Sequence, residues 1–390
     1  MNEPTLIGIL GSGVELKRKA LVLAIALIGV ILVSLFAISE WFSSHQSTPE
    51  FFVGVEFAYG NASDLKDLVD KVKNYTNLFV IGALDISFNQ TVLNETCDYI
   101  VNAGLHLIVL FTDSNKYSYD IFSWIKNAKQ KYSDMFLGVY RFDEPGGNQL
   151  DRGDSMISKN ATTYAEAAAE YVGNWSLHVG YYLDLDSGEV VTADYGLYWF
   201  DYKTGYNAVF AEFGWNHSRQ LHIALCRGAA KAQNRDWGAI VTWTYNGTPY
   251  IESPTELYDD MTLAFDAGAK YLIVFDYPKI GPYGILTEDH FDVIEDFWNY
   301  AHSNPQNFET NRGKVAYVLP KDYGFGFRRA DDTIWGLFPA DALSGKVWND
   351  ASKLIHKYGS NFDIVYDDPE LFSGLKSRYE ELFFWNETIE

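Results

Sequence analysis

FFVGVEFAYG (Phe51–Gly60), SDLKDLVDKVKNY (Ser63–Tyr75) and LFVIGALDISF (Leu78–Phe88) follow one another almost without a break, and this succession decides the fold. The first and third are continuous apolar runs, as strands buried on both faces require. Between them, apolar residues recur at helical spacing behind Ser63, a candidate N-cap. The alternation continues with a helix from about Gln90 to Ala103, stopped by Gly104, and a strand over LHLIVLFTD (Leu105–Asp113). A helix over Tyr119–Tyr132 precedes FLGVYRFDEPGG (Phe136–Gly147), a strand that runs into a Pro-Gly-Gly stop. Thr163–Val179 is helical. YGLYWFDY (Tyr195–Tyr202) and YNAVFAEFGW (Tyr206–Trp215) read as strands five and six, so the helix between them is expected to be missing or reduced. Ser218–Asn234, Pro254–Ala267 and Asp289–Ala301 read as helices around strands at WGAIVTWTY (Trp237–Tyr245) and KYLIVFDYP (Lys270–Pro278). Strands in repeating βα order over residues 51–303 predict an α/β fold, a (β/α)8 barrel of TIM type. An open doubly wound sheet is the alternative, but no Gly-rich phosphate loop follows the first strand.

Outward from the barrel, residues 304–312 (NPQNFETNR) form a polar linker, and residues 313–390 read as a small α/β appendix. It has a strand at Gly313–Pro320, a helix at Ser344–Tyr358 and a strand at Phe362–Asp368, packed on the barrel or lying beside it. On the N-terminal side, KRKALVLAIALIGVILVSLFAISE (Lys17–Glu40) contains an uncharged, proline-free run from Ala20 to Ile38. At ~1.5 Å rise per residue such a helix crosses about 30 Å of hydrocarbon. Lys17, Arg18 and Lys19 flank one side and Glu40 the other, so residues 1–19 are expected in the cytosol, 20–38 in the membrane, and 39–50 as a linker outside. A cleavable signal peptide is the rival, but the apolar core is long for one and no clear A-x-A site follows. The expectation is a single-pass protein of the cell membrane with an extracellular C-terminal domain.

The net charge is -22, and the charges of residues 1–45 cancel, so the whole excess falls on the outer part. Such a surface repels nucleic acid and anionic lipid, which excludes both as ligands of that part. Two cysteines, Cys97 and Cys226, fall on apolar faces of predicted helices and read as buried free thiols rather than a bridge. The histidines show no metal-ligand spacing, so neither metal nor cofactor is expected. Sequons occur at Asn61, Asn74, Asn89, Asn94, Asn160, Asn174, Asn216, Asn246 and Asn386, which agrees with exposure on an archaeal or eukaryotic cell surface.

In βα barrels, functional side chains come from the C-terminal strand ends. Those ends supply Glu56, Asp85, Asp113, Asp143 with Glu144, Glu212, Trp243 with Tyr245, and Asp276 with Tyr277. A ring of carboxylates interleaved with aromatics is what sugar cleavage needs, because carboxylates move protons and stabilise an oxocarbenium-like transition state. Flat aromatic faces pack on pyranose C–H faces. Glu144 and Asp143 are the leading catalytic candidates. Glu212, among Phe210, Phe213 and Trp215, is the second: a buried acid there has a raised pKa, as a general acid requires. Glu56, Asp85, Trp215, Trp243, Tyr245, Asp276 and Tyr277 are candidate substrate-binding residues. The bland readings are an Asp143–Arg141 salt bridge and a Glu212 bonded to a neighbouring Arg or Tyr.

Through Tyr140-Arg141-Phe142-Asp143-Glu144-Pro145, the chain resembles sugar-cleaving (β/α)8 enzymes, many of which end the fourth strand on an acid-Glu or Glu-Pro pair. In one group, which includes the retaining β-hexosaminidases, an Asp-Glu pair works by substrate assistance. That resemblance implies Glu144 as proton donor and Asp143 as the residue orienting a 2-acetamido group. It covers a dozen residues and the strand order. The seventh strand lacks the Glu nucleophile of many retaining barrels, and the glycines flanking the hexosaminidase motif are absent. The resulting expectation is a glycoside hydrolase acting on polysaccharide or glycan. The alternative is a non-catalytic barrel that binds glycan as a surface component. Sequons at Asn216 and Asn246, beside the barrel mouth, favour the second; the acid ring favours the first. A solute-binding receptor is disfavoured because no two-lobed pattern is present.

Overall fold

The computed structural model describes residues 51–185, 188–277, 281, 283–304 and 313–389. The expected membrane span at 20–38 lies outside them, as does the linker from residue 305 on. No helix among the described residues is long and apolar enough to cross a membrane.

Eight strands close a barrel in sequence order: β1 (Phe52–Phe57), β2 (Leu78–Ile81), β3 (His106–Phe111), β4 (Phe136–Arg141), β5 (Glu189–Asp194), β6 (Ala208–Phe213), β7 (Asp236–Val241) and β8 (Tyr271–Asp276). Neighbours pair in parallel throughout, and β8 returns to β1 with Phe52 beside Tyr271. Alternation divides each strand between two cores. Phe52, Leu78, Val80, Ile108, Tyr140, Phe210 and Tyr271 fill the barrel interior. Val53, Val55, Phe79, Val109, Val139 and Val209 pack outward under the helices. Both faces are therefore apolar, which is why the strands read as continuous hydrophobic runs. Cys97 and Cys226 are buried free thiols, as expected.

Two expected strands are corrected. LFVIGALDISF is strand only to Ile81; the chain then turns, and Leu84–Ser87 is a short helix carrying Asp85. YGLYWFDY is not a strand. Strand five is the preceding run EVVTAD, and Tyr198–Thr204 is a buried helix ended by Gly205 in the left-handed region (φ 114°). The helix expected to be missing between strands five and six is this one. Its aromatic residues carry β propensity, but propensity yields to packing. Trp199 and Phe200 lie against Tyr366, and Phe200 against Trp335, so the appendix covers the side of this helix that would otherwise meet water.

The appendix is a three-stranded parallel sheet of β9 (Val315–Leu319), β10 (Phe362–Tyr366) and β11 (Glu381–Phe384), in the order β10-β9-β11, with a helix at Ser344–Tyr358. It packs on the barrel, and residues from 51 onward form one compact unit. The joint runs through the barrel helix Arg219–Gln233. Gly228 lies so close to the Ile364 backbone that any Cβ would collide with it. One residue earlier, the buried Arg227 guanidinium donates to Asp363 at 2.8 Å and to the carbonyls of Ala267 (3.2 Å), Ser360 (2.5 Å) and Phe362 (3.1 Å). Removing one partner of a buried ion pair strands the other, which costs about 3–5 kcal/mol. Arg227→Ala is expected to lower stability by that amount in urea unfolding of the purified protein. A loss within ~0.5 kcal/mol, the range of an ordinary surface change, would show that this pair does not hold the appendix.

Candidate active site

The motif after β4 is shaped by two residues in left-handed backbone, Phe142 (φ 60°) and Glu144 (φ 49°). Such conformations cost of order 1–3 kcal/mol each in a non-glycine residue and persist only where the surroundings impose them. Here β5 imposes them. The Thr192 hydroxyl donates to the Phe142 carbonyl at 2.5 Å, and the Glu144 N–H donates to the Ala193 carbonyl at 3.1 Å. The carboxylate of Asp194 accepts from the N–H groups of Gly146 (2.5 Å) and Gly147 (2.8 Å). Successive strand residues normally face opposite ways; the left-handed turns at Phe142 and Glu144 let Asp143 and Glu144 both serve the mouth. The glycines allow close approach, since a Cβ on Gly147 would strike the Tyr195 ring.

Glu144 and Glu212, from opposite sides of the sequence, hydrogen-bond to each other through their carboxyls. A carboxyl–carboxyl bond requires a proton between them. Burial and the neighbouring Asp143 charge push Glu144 up to about 8. Burial and Glu144 itself push Glu212 well above the carboxylate range. The pair is therefore protonated near neutrality and titrates as a unit. Asp143 accepts from the Tyr140 hydroxyl, which favours its ionised form; enclosure by the barrel pushes the other way and wins, moderated by water because the residue is open to the mouth. Glu56, at the end of β1, is buried and pushed up to about 8 by that burial and by Asp143. Gly82 makes room for it, because a Cβ there would collide with the Glu56 carboxyl. The alternative Asp143–Arg141 bridge does not form. Arg141 donates to the Phe111 carbonyl at 2.7 Å and reaches Asp113 at 3.5 Å.

A cleft of about 660 Å³ opens over the ends of β1 to β4, lined by Glu56, Tyr59, Asp85, Asp113, Asp143 and Trp175 among others. Asp143 lines it, whereas Glu144 and Glu212 do not. A second hollow of about 460 Å³ brings together Trp215 and Tyr245, which are 39% and 43% exposed, with His217, Arg219 and Glu252. The His217 ring lies 6.2 Å from that of Tyr195, which packs on Gly147.

The remaining expected residues divide. Tyr277 packs edge-on against Tyr59 (4.4 Å) and Trp243 (4.9 Å), forming an aromatic wall at the mouth. Asp85 is at the cleft rim but on a helix, not a strand end. Asp276 is corrected. It is fully buried, accepts from the Ile285 N–H at 3.2 Å, and has Gly284 against it, so it braces backbone rather than facing substrate. Past β7 the chain offers Thr242 and Trp243, so no carboxylate follows that strand, in keeping with the sequence reading. Among the described residues, no group of three or more His, Cys, Asp or Glu is arranged to hold a metal ion.

Asp194 is the residue the sequence reading missed. Placing strand five on YGLYWFDY put its end one segment too late; EVVTAD, a β-branched run behind Gly188 and ending in an acid, was the signal.

No family model and no curated protein matches this chain. Solved structures do. GH5_18 from Streptomyces cattleya, in complex with GlcNAc, superposes at a TM-score of 0.54 with 12% identity, over 87% of this chain and 99% of its own. That span exceeds what residues 51–303 alone supply, so the appendix shares in it. A β-1,4-D-mannanase from Cryptopygus antarcticus matches at 0.44 with 13% identity, over 63% of this chain and 89% of its own, and carries no argument at that level. The first likeness shows that the chain has the barrel fold of a glycoside hydrolase; at 12% identity it shows the fold alone.

Proposed function

We propose that this protein is a glycoside hydrolase acting on polysaccharide or glycan, with the Glu144–Glu212 pair as its proton donor. The hydrogen-bonded carboxyl pair beside Asp143 carries the reading, since it stores a proton at neutral pH next to a carboxyl that accepts from the Tyr140 hydroxyl. The pair is too close to be the two separated carboxyls of a retaining (~5–5.5 Å) or inverting (~6.5–9.5 Å) site. It therefore acts as a single general acid, protonating the glycosidic oxygen as the bond to the leaving sugar breaks. The second role falls to Asp143, whose carboxylate faces the cleft and stabilises positive charge at the sugar ring or orients a substrate group that does so. Glu56 lies beyond Asp143 and raises no second charge while protonated. Tyr59 and Trp215, both exposed, supply faces for sugar rings.

A second reading, a barrel that binds glycan without cleaving it, is favoured by two observations. No carboxylate directly follows β7, and the exposed sequon Asn246 stands just beyond that strand. Location is part of the proposal: the uncharged span Ala20–Ile38 anchors the protein in the cell membrane with residues from about 45 on outside. Protease added to intact cells is expected to release the outer part and leave a short membrane-held stub. A protected outer part would overturn the topology.

Glu144→Gln preserves shape and removes the titrating proton. It is expected to keep the fold and ligand binding but to lower turnover of a panel of aryl glycosides by at least ~10²-fold, the low end of a general acid's contribution. A folded, nearly fully active variant would pass the role to Glu212. Turnover by the natural protein should be highest where the pair is protonated and Asp143 ionised. It should fall as pH rises through about 8, the value for Glu144, and fall again as pH drops through the raised pKa of Asp143. A profile flat from pH 6 to 10 would exclude the pair as the acid. No turnover of any glycoside, with saturable binding of an oligosaccharide, would establish the second reading.

A further inference from the structure

Beneath the Glu144 loop lies a second pair of acids that the chemistry does not use. Asp194, at the end of β5, and Asp201, on the helix Tyr198–Thr204, are both fully buried and hydrogen-bonded to each other. The Tyr171 hydroxyl donates to Asp201 at 2.6 Å. A bond between two carboxyls needs one proton, so the pair carries a single negative charge. Four backbone donors mark where that charge sits. The N–H groups of Gly146 (2.5 Å), Gly147 (2.8 Å), Tyr195 (2.7 Å) and Gly196 (3.1 Å) all point at the Asp194 oxygens. Asp201 therefore holds the proton.

We propose that Asp194, braced by Asp201 and Tyr171, is the positioning residue that holds Glu144 against Glu212. The proposal rests on the function above and adds a residue that touches neither substrate nor reacting atom. Two of the four donors belong to the loop that Glu144 begins, and the other two to the turn it rests on. The residue before Asp194 takes the Glu144 N–H. The fit is close on both sides: a Cβ on Gly146 would meet the Gly196 carbonyl, the Asp194 carboxylate and Leu197. Four N–H donors need two acceptor oxygens with charge behind them, which an asparagine lacks. A misplacement of about 1 Å in a reacting group costs up to ~10²-fold in rate, so loss of this clamp acts on turnover.

The test is Asp194→Asn, with Tyr171→Phe as a milder variant that retains the buried carboxyls. The acids around Glu144 are Asp143, Asp151, Asp194 and Glu212, and the Asp194 charge helps to hold the proton on both members of the catalytic pair. In folded Asp194→Asn protein, the Glu144 carboxyl, followed by carbon-13 NMR, should titrate at lower pH than in the natural protein. The amides of Gly146 and Gly147 should shift with it. Turnover per folded molecule should drop ~10- to 100-fold with KM little changed, and the basic limb of the pH profile should move to lower pH. Tyr171→Phe, which keeps both carboxyls, should shift the Gly146 and Gly147 amides and lower turnover in the same direction by less. If Asp194→Asn does not fold, the Tyr171→Phe readouts decide alone. An unchanged Glu144 titration with unchanged loop amides would overturn the proposal, since a residue that merely stabilises the fold moves neither. The NMR arm needs no substrate, so it stands even if no glycoside is cleaved.

Discussion

Four backbone N–H groups converge on the Asp194 carboxylate, and the arrangement of the barrel mouth depends on that convergence. It ties the turn after β4 to the turn after β5, two connections that share no regular hydrogen-bond ladder once their strands end. Held there, the chain at Phe142 and Glu144 keeps left-handed backbone that neither residue would adopt alone. Strain is located where the acids are. Gly146 and Gly147 matter for a related reason: without side chains, the short helix Pro145–Leu150 can be pressed onto the β5 turn.

The mouth also answers how so many acids remain in a barrel whose interior is apolar. Burying an ionised carboxylate is costly, and a protein meets that cost by neutralising, pairing or hydrogen-bonding the group. All three occur here. Glu56 is pushed up to about 8 by burial, Asp143 accepts from Tyr140, and Glu144–Glu212 and Asp194–Asp201 hydrogen-bond as carboxyl pairs. The two pairs keep the local charge far below what the number of acids suggests. The appendix contributes from behind. The Gln149 amide donates to the Trp335 carbonyl at 3.0 Å and Arg152 to the Gly336 carbonyl at 2.6 Å, so the end of the short helix that carries the motif is fixed to the C-terminal region.

Much of the architecture was legible because parallel strands buried on both faces leave a plain trace. LHLIVLF and KYLIVFD have few other uses in a soluble barrel, and the helices between them carry capping signals, as Ser253 and Glu256 do in a reciprocal box. The failures came where tertiary cover replaced local pattern. Tyr198–Thr204 is rich in aromatic residues because the barrel lies under it and Tyr366 and Trp335 lie over it, so its composition mimics a strand. That one misreading displaced strand five and hid Asp194. Asp276 failed differently: its place at a strand end is as expected, but the carboxylate turns to the backbone at Ile285, a choice that depends on Gly284 lying beside it.

By itself the sequence determined which residues are acids, which runs are apolar on both faces, and that an Asp-Glu-Pro motif ends the fourth strand. Those are local properties, set by residue type and period. The contact between Glu144 and Glu212 was decided only by closure of the barrel, which brings positions 68 residues apart into one hydrogen bond. So was the division of labour among the carboxyls. Whether an acid stores a proton, braces a loop or faces the cleft depends on its burial and on the donors that surround it, and both are set by parts of the chain remote in sequence.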